Sequence, residues 1–253
     1  MTGTISLLRP EVFESPEVLA IHASDWLLGL ALHSTQRFAV ALSGGETPRR
    51  LYELMASAPY RDRFPWSRVH WFWGDERFVP HTDPRSNYRM VQDALFSRVP
   101  VFEANIHTIA TEGTDLEQAA LQYEDMLKSF YGAACLDPAR LLFDVVLLGL
   151  GEDGHTASLF PDTAVLDERE RWAAPVCGVR DEPRITLTYP VLESAANVAF
   201  LIAGAGKQSA LAGLCAGDHI IPAGRLRPRG ALHIFADAGA AGILKEAHHE
   251  RED

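Results

Sequence analysis

Four short segments of this 253-residue chain carry residue types whose spacing could do chemistry. The first is Ser43-Gly44-Gly45-Glu46-Thr47-Pro48. Glycines let a backbone turn tightly and let an anion approach its amides, and a helix N-terminus adds free N–H groups and the positive end of its dipole. The segment reads as a phosphate cradle or as a plain strand-to-helix turn with Thr47 as N-cap. It lacks the GxSxG pattern, so Ser43 is not read as a nucleophile. The second segment, Gly74-Asp75-Glu76-Arg77, follows an aromatic-rich run and sets two carboxylates beside a guanidinium. Such a group suits a sugar hydroxyl, a proton or a metal, and equally a surface ion pair with a helix cap.

The third segment, Gly149-Leu150-Gly151-Glu152-Asp153-Gly154-His155-Thr156, contains a formal GxGxxG after an apolar run. In a dinucleotide site the pyrophosphate would meet the charges of Glu152 and Asp153, and no strand ending in an acid follows at about 20 residues. The glycines instead point to a turn that presents His155 at the head of a short helical turn. A helix N-terminus there would favour a neutral imidazole, able to take a proton. Asp153 is near enough in sequence to orient that ring, and Asp75 is the other candidate for the task. Asp75, Asp153 and His155 together could bind zinc, but the chain has no HxH, HExxH or nearby cysteine pair. No metal and no cofactor are expected. The fourth group is cationic: Arg184 opens a strand-like run, and Lys207, one of three lysines, opens a helix after Ala203-Gly204-Ala205-Gly206. Each reads as an anion ligand or as solvated charge.

The elements that must position these residues follow from periodicity. Val18, Leu19, Ile21, His22, Trp26, Leu27 and Leu30 share a helical face after Ser15-Pro16. Strands are predicted at 37–42, 69–73, 141–150, 185–189, 198–203 and 232–235, the run 141–150 being apolar on both faces except at Asp144. Helices are predicted at 48–56, 86–97, 115–130, 206–214 and 240–246. This alternation implies an α/β fold with a mostly parallel sheet covered by helices, and ligands in such sheets bind at the carboxyl ends of the strands. The loops 132–140, 161–171 and 178–184 are short for interdomain linkers, so one domain over 1–247 is expected, with a disordered tail at 248–253.

The net charge of −11 leaves no global basic footprint for nucleic acid or an anionic membrane. An anionic small molecule would need a local cluster of cations. Cys135, Cys177 and Cys215 form no CxxC pair and suit a reducing compartment. Residues 1–10 lack the character of a signal peptide, and no apolar run approaches the roughly 18 residues of a membrane span. The expected location is the cytoplasm, and the oligomeric state is left open.

Read jointly, the segments resemble the 6-phosphogluconolactonase family. The matching pieces are Ser43-Gly-Gly-Glu-Thr-Pro48, Trp73-Gly-Asp-Glu-Arg-Phe-Val-Pro80 with Ser86-Asn87, residues 147–161 (LLGLGEDGHTASLFP), Arg184-Ile-Thr-Leu-Thr188, residues 204–207, Pro222-Ala223, and Phe235-Ala-Asp237. They run in order over nearly the whole chain. The resemblance implies a Rossmann-like three-layer αβα sandwich like that of glucosamine-6-phosphate deaminase and ribose-5-phosphate isomerase, with an added small sheet. It implies hydrolysis of 6-phospho-D-glucono-1,5-lactone to 6-phospho-D-gluconate in the oxidative pentose phosphate pathway, without metal or cofactor. It further implies that Ser43, Gly44, Gly45 and Thr47 help bind the phosphate, with Arg77, Arg184 and Lys207 nearby. His155 would be the general base toward water, with oxyanion donors among the amides near Gly44 or Gly154.

Two rivals are weaker. Glucosamine-6-phosphate deaminases resemble the chain up to the histidine but carry a catalytic Glu five residues beyond it, where this chain has Phe160. A non-catalytic sugar-phosphate sensor would not need His155, Asp75 and Asp153 together. One departure from the family is Glu46, at a position often small or basic there. A carboxylate aimed at the phosphate would weaken binding, so Glu46 is expected to point outward. The substitution Glu46→Ser should then leave the affinity for 6-phosphogluconate unimproved in calorimetric titration, and a clear gain would show that Glu46 faces the ligand.

Overall fold

Residues Phe38–Leu42 read Phe-Ala-Val-Ala-Leu, and all five are buried. A run without a polar side chain is stable as a strand only where both faces of its sheet are covered. The computed structural model, which describes residues 8–242, builds its main sheet from runs of this kind. In chain order the elements are β1 (Glu11–Phe13), α1 (Pro16–His33), β2 (Phe38–Leu42), α2 (Glu46–Met55), α3 (Tyr60–Arg63), β3 (Val69–Trp73), β4 (Asp75–Arg77) and α4 (Asn87–Ala94). They continue with α5 (Leu116–Tyr131), β5 (Phe143–Leu148), β6 (Ala173–Val176), β7 (Arg184–Leu187), α6 (Tyr189–Leu192), β8 (Ala195–Ile202), α7 (Gln208–Ala216) and β9 (Ala231–Asp237).

Six strands form one sheet in the order β1-β9-β8-β5-β2-β3, with every pairing parallel. Their carboxyl ends therefore share one edge. Helices flank this sheet: α1 packs on α2 and β9, and α2 on β8 and α4. A second sheet, β4-β7-β6, is antiparallel, and α5 packs on its strands β6 and β7. No helix among the described residues is long and apolar enough to cross a membrane.

The strand predicted at 185–189 is a correction. Only Arg184–Leu187 is extended, it pairs antiparallel in the small sheet, and Tyr189-Pro190 opens α6, where a proline loses no helical hydrogen bond. The strands β1, β4 and β6, of three or four residues, were not predicted because so few residues show no periodicity. The helix predicted at 48–56 begins at Glu46, with Gly45 as N-cap and no side-chain cap, so Thr47 lies inside the first turn. The helix predicted at 86–97 ends at Ala94 and gives way to a 3-10 turn, Phe96–Arg98. Most of the helix predicted at 240–246, and the whole tail predicted at 248–253, lie outside the described residues.

Three side chains stand in for ladder bonds in the sheet, one near the amino ends of β2 and β5 and two at the carboxyl edge where the site is built. Asp144, the one polar residue of β5, accepts the Ala39 N–H at 2.7 Å and takes the place of a ladder bond to β2. Burial raises its pKa against that bond and the nearby Arg37 charge. Tyr52 of α2 accepts from Ser43 N at 3.1 Å and donates to Ser43 O at 2.9 Å, closing the end of β2. Tyr123 of α5 does the same for β3, accepting from Trp73 N and donating to Trp73 O, both at 2.8 Å. Both rings are buried, and burial pushes both phenols well above their ordinary range.

A buried backbone group left without a partner costs about 1–3 kcal/mol. Tyr123→Phe strands both the N–H and the C=O of Trp73, so it should destabilise the fold by about 2–4 kcal/mol in urea or guanidinium unfolding. A loss within about 0.5 kcal/mol would mean that the clamp contributes no more than an ordinary surface contact.

Candidate active site

The carboxyl edge of the parallel sheet opens into a polar cleft of about 370 Å³. The turn after β2 supplies Ser43, Gly44, Gly45 and Thr47, β4 supplies Asp75 and Arg77, and the turn after β5 supplies His155. Arg184 enters from β7 and Lys207 from the segment after β8. Asp153 is the one predicted site residue that does not line the cleft.

Asp153 stands behind His155, and its Oδ1 lies 2.5 Å from His155 Nδ1. A carboxylate at that distance assigns the ring hydrogen to Nδ1 and leaves the lone pair on Nε2. Burial pulls the Asp153 pKa upward, but hydrogen bonds from the His155 ring and backbone, with the His155 and Arg180 charges, carry it below its ordinary value. The pair rests on Gly151: a Cβ there would lie 2.0 Å from His155 Nδ1 and 2.5 Å from Asp153 Oδ1. No side chain but hydrogen fits.

Two expectations are corrected here. His155 does not head a helical turn, because the chain makes a tight turn in which Gly154 N donates to Gly151 O at 3.0 Å and Gly151 N to His155 O at 2.8 Å. The helix-end argument for its protonation state therefore does not apply, and the ring is oriented by Asp153. The Gly154 amide is spent in that turn and is not an oxyanion donor, while the Gly154 carbonyl accepts from Ala223 N at 3.0 Å. That contact ties Pro222-Ala223 to the turn that carries His155.

Asp75 belongs to a different network. Its Oδ2 accepts from Ser158 Oγ at 2.6 Å and lies 4.0 Å from Arg184 Nη1. Ser158 reaches it across Ala157, which takes a left-handed φ of 47° that costs an L-residue about 1–2 kcal/mol. Successive residues of a strand point to opposite faces, so Asp75 and Arg77 line the cleft while Glu76 is turned inward. There Glu76 accepts from the N–H groups of Arg77, Asn87 and Tyr88 at 2.8, 2.7 and 2.7 Å and from Ser86 Oγ at 3.0 Å. It caps α4. Burial pushes its pKa up to about 7 against those three amides.

The capped helix delivers a residue that the motif reading did not assign. Asn87 Nδ2 donates to Asp75 O at 2.9 Å, and its buried Oδ1 has no partner among the described residues. That oxygen crosses the face of Gly44, where a Cβ would sit 2.0 Å from it. Asn87 lines the cleft. The only sequence signal was its place beside Ser86 in a matched stretch, because the link to Glu76 is made in three dimensions.

The cations concentrate where the net charge of −11 gives no reason to expect them. Arg77 Nη1 donates to Arg85 O at 2.5 Å, and the buried Nε atoms of Arg77 and Arg184 have no partner among the described residues. Burial first, and then the Arg77 and Arg180 charges, draw the Arg184 pKa below the ordinary arginine range, against Asp75 and Glu182. No carboxylate among the described residues lies within 4.0 Å of Lys207. The first turn of α2 adds the free N–H groups of Glu46 and Thr47, since Arg49 N is the first to find an intrahelical partner. Glu46 is part of the cleft lining, but its side chain is 82% exposed and lies 3.6 Å from Arg49. No group of three or more His, Cys, Asp and Glu among the described residues could hold a metal ion.

The same architecture and the same segments occur in known proteins. The family model described as glucosamine-6-phosphate isomerases/6-phosphogluconolactonase matches residues 15–234. A 6-phosphogluconolactonase of Nostoc sp. is 41% identical over 241 residues, covering 92% of this chain and 97% of that protein. One from Synechocystis sp. is 44% identical over 211 residues, covering 81% and 84%. The solved structure of 6-phosphogluconolactonase from Trypanosoma cruzi superposes with a TM-score of 0.83 at 26% identity, over 96% of this chain and 99% of that one. By sequence and by fold, this chain belongs to the glucosamine-6-phosphate isomerase/6-phosphogluconolactonase family.

Proposed function

We propose that the chain hydrolyses 6-phospho-D-glucono-1,5-lactone to 6-phospho-D-gluconate in the oxidative branch of the pentose phosphate pathway. The observation that carries this reading is the His155–Asp153 pair at 2.5 Å, whose Nε2 has no hydrogen-bond partner among the described residues, beside a cleft lined by three cations and a helix N-terminus. In this reading Nε2 takes a proton from water as the water oxygen bonds to the lactone carbonyl carbon. The tetrahedral intermediate then collapses, its bond to the ring oxygen breaks, and protonated His155 returns the proton to that oxygen. Positioned base catalysis of this kind contributes about 10²–10⁴-fold. Asp153 keeps the tautomer, and the Gly44 amide is the remaining candidate for the oxyanion.

The phosphate is assigned to Ser43, Gly44, Gly45 and Thr47 at the start of α2, with Arg77, Arg184 and Lys207 as its cations. Asp75 and Asn87 then remain for sugar hydroxyls. Phe160 supports the lactonase reading over deamination: its ring is buried, packs 4.5 Å from the His155 ring, and carries no proton to transfer. Walls of the cleft come from both halves of the chain, which supports one domain over 1–247. Three unpaired cysteines, Cys135, Cys177 and Cys215, suit the cytoplasm.

The test couples glucose-6-phosphate dehydrogenase to 6-phosphogluconate dehydrogenase, with and without the protein. Faster appearance of 6-phosphogluconate is expected, together with no ammonia release from glucosamine 6-phosphate. No acceleration would refute the assignment. His155→Ala should lower kcat by about 10²–10⁴-fold while 6-phosphogluconate still binds, and near-normal turnover would remove His155 as the base. Gly151→Ala should displace the His155–Asp153 pair and lower kcat about a hundredfold with little change in KM. Wild-type kcat in that variant would show that the pair need not sit where it does.

A further inference from the structure

Arg180 was not among the residues the motifs singled out, and it does not line the cleft. Its Nη2 lies 2.7 Å from Asp153 Oδ2, on the oxygen that His155 does not use. Its guanidinium carbon sits 4.9 Å from the centre of the Phe160 ring. The same ring carries Arg184 at 5.6 Å and His155 at 4.5 Å. Two arginines four residues apart thus share one buried aromatic platform, but one of them reaches the cleft and the other reaches the back of the base.

We propose that Arg180 is a positioning residue for His155. This rests on the reading of His155 as the base. The Asp153 side chain is 36% exposed, so water competes for its oxygens and the carboxylate is otherwise free to rotate. A charge-assisted bond to its second oxygen fixes the carboxylate plane and keeps the first oxygen on Nδ1. The guanidinium is held in turn by the face of Phe160. Phe160 therefore locks the base from two sides: it packs under the imidazole and carries the cation that orients the imidazole's carboxylate. The loop that bears Arg180 has a separate anchor, Glu182, which pairs with Arg85 Nη1 at 2.7 Å. Removing the Arg180 side chain leaves that anchor in place.

The experiment compares wild type, Arg180→Gln, Arg180→Lys and His155→Ala in the coupled assay, with kcat and KM determined separately and thermal midpoints recorded. Arg180→Gln should lower kcat by about ten- to a hundredfold, with KM and 6-phosphogluconate affinity within about twofold of wild type. Arg180→Lys, which restores charge but not the planar fork, should recover part of the loss. In proton NMR, the downfield Nδ1–H resonance of His155 should be sharp in the wild type and broadened or absent in Arg180→Gln. Arg180 is 45% exposed, so if the Gln variant is unstable, restoration of kcat in Arg180→Ala by added guanidinium tests the same role. Wild-type kcat in Arg180→Gln beside an inactive His155→Ala overturns the role of Arg180 and leaves the base assignment standing. A raised KM with unchanged kcat overturns it too, by making Arg180 a substrate contact. Wild-type turnover in His155→Ala overturns the base assignment itself.

Discussion

A parallel sheet ends with all its strands at one edge, and the backbone groups just past that edge have no neighbouring strand to pair with. Around a cleft they must be satisfied without filling the cleft. Here side chains from the flanking elements do it one strand at a time. Tyr52 closes β2 and Tyr123 closes β3, each with a single hydroxyl that both accepts and donates. Thr156 Oγ1 donates to Gly149 O at 2.9 Å after β5, and Asp237 Oδ1 accepts from Gly204 N at 3.0 Å after β8. The turns that carry Ser43, Asp75, His155 and Lys207 all start from points fixed in this way. The precision of the site is a property of its supports.

Within that frame the acids have separate duties, and burial decides which. Glu76, 1% exposed, caps α4 and is not part of the cleft lining. Asp75, 6% exposed, is held by Ser158 and lies 4.0 Å from the Arg184 guanidinium, so it offsets part of the positive charge of the cleft. Asp153 is partly exposed and joins the His155 imidazole to the Arg180 guanidinium on the far side. Three carboxylates within one constellation thus avoid competing for the same proton, because each has its own set of donors. Three cations against two acids, Asp75 and the largely exposed Glu46, leave the cleft locally positive inside an acidic molecule, which is what an anionic substrate requires.

The sequence made the parallel strands legible, since runs such as Phe38–Leu42 and Phe143–Leu148 are apolar on both faces and long enough to show it. It also made legible the glycine turns that end them, and the cleft gathers residues from all four motifs. It did not separate Asp75 from Asp153 as the partner of His155, because that choice depends on which face of Gly151 the turn presents. It misplaced the start of α2 by two residues, because Thr47 looks like a cap and Gly45 does not. Asn87 and Arg180 were out of reach for a common reason. Asn87 is brought to Gly44 by an acid eleven residues away, and Arg180 to Asp153 across 27 residues of chain. No local pattern encodes either contact.

Phe160 shows how one position can settle chemistry without touching a ligand. A carboxylate there would stand within reach of His155 and compete with Asp153 for its ring. It would also draw Arg180 and Arg184 toward itself and away from Asp153 and the cleft. An aromatic ring does neither: it has no proton to exchange, and it attracts both guanidiniums through its face without taking up their N–H groups. Hydrolysis of a lactone needs one base, one well-placed water and a fixed substrate, so a second proton-transfer group is dispensable. With Phe160 in place of such a group, the His155 imidazole keeps one carboxylate partner, Asp153, and an aromatic ring against which it packs.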